Sequence, residues 1–535
     1  MSSDSKKIHI LDSSLRDGAQ GEGISFSVQD KIHVVKALDE LGVTYIEAGN
    51  PGSNPKDLEF FQEIKKVSLE NAEVVAFGST RRKGITCAED VQIQSLLSAQ
   101  TDTVVIFGKT WDFQVTEILK ASLEENIAMI KDTVSYLREQ GKTVIFDAEH
   151  FFDGWNANKE YALQCLKAAV DGGARVLSLC DTKGGSLPLD IYETTKMVFQ
   201  HFGSQVEIGI HAHNDSGLAV AISLMAVSGG ATHVQGTLLG FGERTGNANL
   251  SAIIPSLELK MGYSCLPEGK LQDLTPISKT VAEIANINVT PGMPYIGSSA
   301  FAHKAGMHID AVTKNPEAYE HITPESVGNE RIFLMSEVAG RSTIIERIRR
   351  FNPGVTKSDA VVGEIIEKIK SLEHSGYQFE GAEGSFELLV RKSLGKYKPF
   401  FKLHYYKSIG EKPPLGEALC SFAQLKIEVD GQIEITAGEG DGPVHALDTA
   451  LRKALERFYP AVAQIRLIDY KVRVLDSKST TASKVRVLIE SSDGLQSWST
   501  VGVSSDILEA SWLALVDSFE YKLIKDIERK FKSYL

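Results

Sequence analysis

Short runs of β-branched and other apolar residues alternate with helix-length amphipathic segments along the first half of the chain. We predict strands at residues 8–12, 43–48, 73–78, 102–107, 143–148, 175–180, 206–211 and 232–238. About eight βα units in roughly 250 residues are typical of a (β/α)8 TIM barrel, an α/β fold. A doubly wound open sheet is the alternative, but no G-x-G-x-x-G sequence follows the first strand.

The segment after the first strand has the clearest helix signals. Ser27 can cap its amino end with Asp30 three residues later, and Gly42 can end it. The residues between them include an apolar stripe made of Val28, Ile32, Val35 and Leu38. The pattern therefore predicts an amphipathic helix between Ser27 and Gly42.

The βα rhythm stops near Leu266, and strands return after about residue 374. A weak repeat follows, in which strands 424–430 and 432–437, the Gly438–Gly442 turn and helix 444–458 are echoed by strands 484–490 and 496–503, the Ser504–Asp506 turn and helix 507–519. Such a ββα-type duplication favours an α+β regulatory or dimerising module. We divide the chain into a catalytic barrel (1–270), a linker with small helical subdomains that contribute to the active site (271–374) and a regulatory and dimerisation domain (375–535).

Composition narrows the functional classes. The 535 residues are 42% hydrophobic and 24% charged, as in globular proteins, and the net charge of −13 argues against nucleic acid as a partner. No apolar run is long enough to span a membrane and no signal-peptide core precedes Ile8, so we expect a cytoplasmic protein that does not bind membranes. The five cysteines are scattered without a C-x-x-C, which fits reduced thiols.

Polar side chains stand where six of the predicted strands end. They are Leu15 to Gln20 after strand 1, Glu47 and Asn50 to Gly52 after strand 2, Asp147 and Glu149 in strand 5, Asp181 to Gly185 after strand 6, the histidines after strand 7 and Gly242 to Asn247 after strand 8. One such loop alone would be ordinary. Their joint occurrence points to an active site at the carboxyl ends of the strands.

His211 and His213 are one residue apart at the end of the seventh strand. Residues i and i+2 of a strand face the same side, so the two imidazoles can chelate a metal, although a lone H-x-H is as often a structural or exposed pair. Barrel closure makes strands 7, 8 and 1 neighbours and brings Asp17 within reach. Two imidazoles and a carboxylate suit a divalent cation, with Asn247 as a further ligand or as a residue that orients one.

Four motifs carry a family resemblance. They are Asp12 to Gln20 (DSSLRDGAQ), His211 to Asp215 (HAHND), Gly242 to Asn247 (GERTGN) and His303 to His308 (HKAGMH). Together they resemble the acyl-CoA-condensing branch of the metal-dependent TIM-barrel lyases, which contains the 2-isopropylmalate, homocitrate and citramalate synthases. The resemblance covers essentially the whole chain.

The resemblance implies a metal-assisted condensation of acetyl-CoA with a 2-oxo acid, followed by hydrolysis of the CoA thioester. It implies that Asp17, His211, His213 and Asn247 hold Mn²⁺, Mg²⁺, Co²⁺ or Zn²⁺. Arg16 would stabilise the developing alkoxide, and Arg16, Asp17 and Thr182 would bind the oxo acid. Glu149 and His308 are candidates for the base that deprotonates the acetyl methyl, with Tyr319 assisting; Glu149 could instead be a carboxylate paired with a neighbouring cation, and His308 a surface histidine.

Residues Glu47 to Asp57 resemble the citramalate synthase version of the family, because an aromatic residue usually stands at the position of Asn50 in 2-isopropylmalate synthases. This implies pyruvate as the oxo acid and a place in isoleucine biosynthesis. A 2-isopropylmalate synthase, using 2-oxoisovalerate in leucine biosynthesis, is the alternative. A lyase working in the reverse direction is usually shorter, and a catalytically idle amino-acid sensor would not need Arg16, Asp17 and the histidines intact.

The carboxyl-terminal module, by the same resemblance, implies feedback inhibition. The expected effector is isoleucine, bound near Gly440, Gly442, Pro443 and Val444 and the equivalent turn around Asp506, at the interface of a homodimer or higher homo-oligomer.

Overall fold

The computed structural model of the protein describes residues 6–304, 306–333, 345, 348–349, 354–356, 359–379, 381–411, 420–475, 483–494 and 496–533. The chain forms two compact units. The first contains the described residues up to Ala302 together with Glu320–Arg331, and the second contains His303–Tyr319 and the described residues from Ile332 onward. Ala305, within the His303 to His308 motif, lies outside the described residues.

Eight parallel strands close into a barrel in sequence order, with the eighth paired to the first. They are β1 (His9–Asp12), β2 (Tyr45–Glu47), β3 (Glu73–Ser79), β4 (Thr103–Lys109), β5 (Thr143–Glu149), β6 (Val176–Asp181), β7 (Glu207–Ala212) and β8 (His233–Gly236). Every strand lies within two residues of its predicted bounds. The prediction of a TIM barrel is confirmed.

Helices follow the strands in the first unit. They are α1 (Val28–Leu41), α2 (Pro55–Ile64), α3 (Val91–Ser98), α4 (Leu123–Glu139), α5 (Phe151–Ala157), α6 (Lys159–Gly172), α7 (Pro188–Phe202), α8 (Ala219–Ser228), α9 (Leu250–Leu259) and α10 (Leu274–Ile284). The α1 caps are as predicted: Ser27 and Asp30 form a reciprocal capping box, and Gly42 ends the helix at φ 90°. Two helices follow β5, because Asn158 leaves the helical conformation and then caps α6.

The barrel interior contains an apolar plug. Leu11, Val75, Val105, Ile145 and Val176 pack together there from five strands. A larger cluster of buried side chains lies between the strands and the surrounding helices. Inward-facing residues of a TIM barrel fill its interior, so the polar side chains of the site collect beyond the plug, at the carboxyl ends of the strands.

The second unit begins with short elements and helices. They are β9 (Ala302–His303), which begins in the first unit, α11 (Gly306–Lys314), β10 (Ile332–Phe333), α12 (Ala360–His374) and α13 (Glu383–Ser393). Buried side chains of α12 and α13, among them Ile365, Ile369 and Phe386, form a separate apolar cluster. The predicted linker region thus contains helices, while its residues 334–344 lie outside the described ranges.

The duplicated module contains two three-stranded antiparallel sheets, each followed by a helix. The first copy is β11 (Lys402–Glu411), β12 (Cys420–Val429), β13 (Gln432–Gly440) and α14 (Pro443–Glu456). The second copy is β14 (Arg466–Val474), β15 (Val485–Ser492), β16 (Ser497–Ser504) and α15 (Ile507–Ser533). Each copy therefore has one strand more than the predicted ββα pattern. The side chains of β14 are mostly exposed, yet its apolar residues Ile468, Tyr470, Val472 and Val474 alternate with charged ones, a strand pattern that the predicted repeat left out.

Matching contacts hold the helix on the sheet in both copies. The Thr436 hydroxyl donates to the carbonyl of Ala450, and the Thr500 hydroxyl donates to that of Ala514. A Cβ atom at Gly438 would lie 2.5 Å from the backbone of α14, and one at Gly502 would lie 2.0 Å from that of α15. Gly438 and Gly440 thus belong to β13 and not to the predicted turn; they let the helix approach the strand closely.

In the part of the chain that the structure describes, no helix combines the length and the apolar character needed to cross a membrane.

Candidate metal and active site

Three side chains with metal-binding atoms meet at the mouth of the barrel. Asp17 lies in the loop after β1. His211 lies in β7, and His213 is the first residue after that strand. Nε2 of His211 is 3.2 Å from Oδ2 of Asp17 and 3.4 Å from Nε2 of His213. Nε2 of His213 is 3.9 Å from the same carboxylate oxygen, and all three residues are buried. The pairing of β7 with β8 and of β8 with β1 brings together residues that are far apart in sequence.

The separations of these three atoms suit a shared cation. Ligands about 2.0–2.2 Å from an ion at tetrahedral or octahedral angles lie about 3–3.5 Å from one another. Two Nε2 atoms and a carboxylate oxygen at nearly these distances can bind an ion after small side-chain movements. Nδ1 of His213 and Oδ1 of Asn247 are buried without a hydrogen-bond partner in the described residues. The donor set therefore fits a divalent metal.

Electrostatics suits Asp17 and His213 to a cation, whereas Asp17 outweighs burial at His211 and raises the pKa of that imidazole, so a metal there would displace a proton. Burial alone would raise the pKa of Asp17, but Arg16 and His211 outweigh it and hold the pKa well below its usual range. Burial and the neighbouring His211 lower the pKa of His213 to about 4. At neutral pH Asp17 is therefore anionic and His213 neutral, the protonation states of metal ligands.

Asn247 adjoins the cluster from the loop after β8. Its Nδ2 donates to Oδ2 of Asp17 over 3.1 Å and lies 3.5 Å from Nε2 of His211. A Cβ atom at Gly242 would lie 2.0 Å from Oδ1 of Asn247, so glycine is needed there for the amide to fit. This contact orients Asp17, one of the two roles predicted for Asn247.

Arg16 is fixed beside the cluster by a buried carboxylate. Its Nε and Nη2 each lie 2.7 Å from Oε2 of Glu47, and its Nη1 lies 3.2 Å from Oδ2 of Asp17. The guanidinium also packs 3.9 Å from the ring centre of Phe77. Burial opposes the charge, but Glu47 and Asp17 outweigh it and raise the pKa of Arg16. The barrel mouth thus holds a permanent, oriented cation.

His211 is held from its other side by a chain of buried groups. Its Nδ1 lies 2.9 Å from Oε1 of Gln235, whose Nε2 donates to Oδ1 of Asp147 over 2.8 Å. Gln235 is on β8 and Asp147 on β5. Burial raises the pKa of the Asp147 carboxyl above its ordinary value.

Thr182 lies in the loop after β6, and its hydroxyl oxygen accepts the backbone N–H of His150 over 2.8 Å. The carbonyl of Thr182 accepts Nη2 of Arg244, which also forms an ion pair with Asp215. Because the Thr182 oxygen already accepts, its own proton is left to donate.

A cavity of about 340 Å³ opens beside Arg16. Its lining includes Leu15, Arg16, Phe26, Asn50 and Phe77. Asp17, His211 and His213 are not among the lining residues, but Arg16 contacts Asp17 and so links this mixed apolar and polar wall to the cluster. Asn50, the residue on which the resemblance in loop 47–57 depends, is part of this wall.

The three predicted acid–base residues belong to different units: Glu149 to the first, and His308 and Tyr319 to the second. Glu149 ends β5, and its Oε2 lies 2.6 Å from Nζ of Lys109. His308 and Tyr319 belong to the second unit, where their ring centres are 4.1 Å apart. The structure thus brings His308 next to Tyr319 and pairs Glu149 with a lysine, the alternative noted for that carboxylate.

Three families of known proteins match successive parts of the chain. The HMGL-like family matches residues 7–281, the homocitrate synthase post-HMGL domain-like family residues 295–376, and the LeuA allosteric (dimerisation) domain residues 380–523. The chain is 51% identical over 523 residues to the (R)-citramalate synthase of Aquifex aeolicus, covering 98% of this chain and 99% of that one. The chain belongs to the (R)-citramalate synthase family.

Other members of the (R)-citramalate synthase family match over similar lengths. The one from Geobacter sulfurreducens is 50% identical over 521 residues, covering 97% of this chain and 98% of that one. The probable 2-isopropylmalate synthase of Methanopyrus kandleri is 30% identical over 510 residues, covering 95% and 97%. The predicted resemblance to acyl-CoA-condensing synthases is confirmed.

Two supporting residues of the citramalate synthase site were not singled out by the sequence. The sequence places Glu47 at a strand end without indicating a role for it, and it places Gln235 within a predicted strand. The spacing of His233 and Gln235 in β8 places both on one face, and a polar pair on the inner face of a barrel strand is the signal that could have found Gln235.

The predicted regulatory residues lie where β13 passes into α14. Gly440 ends the strand, Gly442 is the amino cap of the helix, and Pro443 and Val444 begin it. A Cβ atom at Gly440 would lie 2.7 Å from the backbone nitrogen of Ala446.

Proposed function

We propose that this chain condenses acetyl-CoA with pyruvate and hydrolyses the thioester, releasing (R)-citramalate and CoA, as a step of isoleucine biosynthesis. The observation that carries the proposal is the cluster of Asp17, His211 and His213 beside Arg16, in a chain that matches citramalate synthases over 98% of its length. The substrates are inferred from the names of those relatives.

Asp17, His211 and His213 would hold the divalent metal, with Asn247 orienting Asp17. When bound there, the metal supplies Lewis-acid polarisation of the substrate carbonyl. Nitrogen and oxygen ligands suit Mn²⁺, Co²⁺ and Zn²⁺ well and Mg²⁺ less well, so the donor set leaves the choice of ion to experiment.

Arg16 would stabilise the negative charge that develops on the keto oxygen of pyruvate. Its guanidinium is held by Glu47 before the reaction, so little reorganisation is needed when the charge appears. The Thr182 hydroxyl, whose oxygen already accepts from His150, would donate its proton to the substrate carboxylate. Asp17 would border the bound acid from the metal side.

The acetyl methyl must lose a proton to attack the keto carbon. Glu149 and His308 are the proposed bases, with Tyr319 as an assisting acid. Lys109 Nζ lies 2.6 Å from Oε2 of Glu149 and fixes the position of that side chain at the end of β5. The close packing of His308 on Tyr319 supports joint action of those two residues.

We further propose a homodimer or higher homo-oligomer that isoleucine inhibits by binding near Gly440 to Val444. The match to an allosteric and dimerisation domain supports both parts. We further propose the division into residues 1–270, 271–374 and 375–535. We place the enzyme in the cytoplasm because the five cysteines are scattered along the sequence without a C-x-x-C, a pattern that fits reduced thiols. Removal of the residues beyond about 420 should abolish isoleucine sensitivity; unchanged activity and unchanged sensitivity would reject the regulatory role.

The substrate proposal is tested with the purified chain, acetyl-CoA and a panel of 2-oxo acids, with products identified by chiral chromatography and mass spectrometry. We expect (R)-citramalate from pyruvate, with a higher kcat/KM than for 2-oxoisovalerate. A preference for 2-oxoisovalerate would instead make the chain a 2-isopropylmalate synthase, the activity named for its relatives at 30% identity. No CoA release with any 2-oxo acid would reject the condensing function.

A further inference from the structure

A buried polar chain leads from His211 away from the metal-binding cluster. His211 contacts Gln235, and Gln235 contacts Asp147, over 2.9 Å and 2.8 Å. Gln235 is fully buried, and only 5% of His211 and 3% of Asp147 is exposed. Water therefore does not supply alternative partners for these groups, and each must satisfy the next.

The order of the groups fixes the direction of both hydrogen bonds. The Oδ1 atom of Asp147 accepts, so the Gln235 amide turns its NH₂ towards it. The carbonyl oxygen of Gln235 then faces His211 and accepts a proton from Nδ1. With the proton on Nδ1, Nε2 of His211 directs its lone pair at the space shared with Asp17 and His213.

The second histidine has no such support. Nδ1 of His213 is buried and makes no hydrogen bond with any residue that the structure describes. The protein thus fixes the ring of His211 from behind but leaves the ring of His213 free to choose its tautomer. Of the two imidazoles, only that of His211 is therefore held in a defined orientation before a metal binds, and Gln235 is the residue that holds it.

We propose that Gln235 and Asp147 are positioning residues that fix the tautomer and ring orientation of His211 and thereby set the affinity of the site for its metal. The inference rests on the proposed metal site. Partners that accept the second ring N–H of a ligating histidine typically change metal affinity about 10–100-fold when they are removed. Neither residue touches the substrate in this proposal, so they act only through His211.

The test compares two double variants that differ only in the acceptor at position 235. Q235L/D147N removes the acceptor and leaves no buried charge without a partner, whereas Q235E/D147N keeps an oxygen for His211 and an amide donor at position 147. Thr195→Val is the matched control, because the Thr195 hydroxyl is buried in α7 without a hydrogen-bond partner in the described structure. The readout is the Kd for Co²⁺ of the metal-stripped full-length chain, measured by competition with a chromophoric chelator.

We expect Q235L/D147N to bind Co²⁺ about 10–100-fold more weakly than the wild type. Q235E/D147N should recover to within a few-fold, and T195V should match the wild type. Equal Kd values for Q235L/D147N and the wild type, or no recovery in Q235E/D147N, would overturn the proposal.

Two further measurements, on the wild type and on His211→Ala, separate a failure of the metal site from a failure of the positioning role. If wild-type protein binds no Co²⁺, or if His211→Ala binds as tightly as the wild type, the metal site itself and this inference both fail. If His211→Ala loses binding while Q235L/D147N does not, only the positioning role fails. Circular dichroism reports folding, and if Q235L/D147N is unfolded, Q235M/D147N takes its place, since methionine keeps the length of glutamine and lacks the acceptor.

Discussion

Arg16 shows how a single side chain acquires a defined position at the barrel mouth. Long arginine side chains lose rotamer entropy when they are fixed, and that cost must be offset by several contacts. Glu47, Asp17 and the face of Phe77 together supply them. Because Glu47 is fully buried, leaving it without Arg16 would strand an unpaired charge, so the two residues stabilise each other.

Replacement of Arg16 by lysine tests this arrangement. Lysine keeps the charge but cannot place nitrogens on Glu47 and on the developing alkoxide together, so we expect kcat to fall about 10²–10³-fold. The measurement is CoA release with pyruvate and acetyl-CoA. Arg138→Lys, at the far end of α4, is the matched control and should keep wild-type activity. A kcat within two-fold of wild type for R16K would contradict the role given to Arg16.

At the residue scale, the sequence predicts which residues form the cluster better than it predicts the residues that hold them in place. Asp17, His211 and His213 could be predicted together because barrel closure makes their strands neighbours and because each residue type binds metals. Gln235 could not be assigned a role, since a glutamine in a strand carries no chemical signal until its partners His211 and Asp147 are known.

Helix-on-strand packing is the clearest feature at the scale of elements. In both copies of the module a glycine in the third strand meets the backbone of the following helix, and a threonine two residues earlier bonds to that helix. The close approach buries Ala446, Ala450, Ala510 and Ala514 completely. Dispersion contacts between small residues and backbone hold such layers together.

Gly502→Ala should loosen the second copy. Its Cβ would lie 2.0 Å from the carbonyl oxygen of Ala510, so strand and helix must separate, at a cost of about 1–3 kcal/mol. Gly410→Ala is the control, because the nearest atom to a Cβ at that strand glycine is 4.0 Å away. Thermal unfolding followed by circular dichroism should show a lower midpoint for G502A only; equal midpoints for the two variants would show that the strand and helix accommodate the methyl group.

Elements with local signals could be predicted, and those without could not. The Ser27 capping box and Gly42 define both ends of α1 from neighbouring residues alone. β9 and β10 are two residues long each, too short to show an alternation of apolar and polar residues, so no local pattern predicts them.

The whole molecule combines a barrel with a module that carries an exposed apolar face. Ile409, Phe422, Ile433 and Ile435 lie on the side of the first sheet turned away from α14, and each is more than 40% exposed. Ile409 pairs with Phe422 at one end of this face, and Ile433 and Ile435 lie towards the other end, beyond Gln424. Several exposed apolar side chains on one sheet face are typical of an interaction surface. The match to a dimerisation domain is consistent with a second copy of the chain as the partner.

In the proposed homodimer this face would be buried, so the double variant I433K/I435K should be a monomer, because burying two lysines in a subunit interface is costly. Size-exclusion chromatography with light scattering gives the mass directly. Val91→Lys places one lysine at an apolar position of the barrel unit that is 65% exposed and should leave the mass unchanged. A dimer that persists in I433K/I435K would exclude this face from the interface.

The proposed condensation takes place at the cluster of Asp17, His211 and His213. CoA release from acetyl-CoA and pyruvate is measured for the wild type and for His211→Ala, each after metal removal by a chelator and after Mn²⁺ is added back, with the exposed His33→Ala as the control. We predict that stripped wild type and H33A are inactive and recover with Mn²⁺, whereas H211A, which lacks a ligand, stays inactive. Undiminished CoA release from the stripped wild type, or from H211A, would contradict the assignment of the active site.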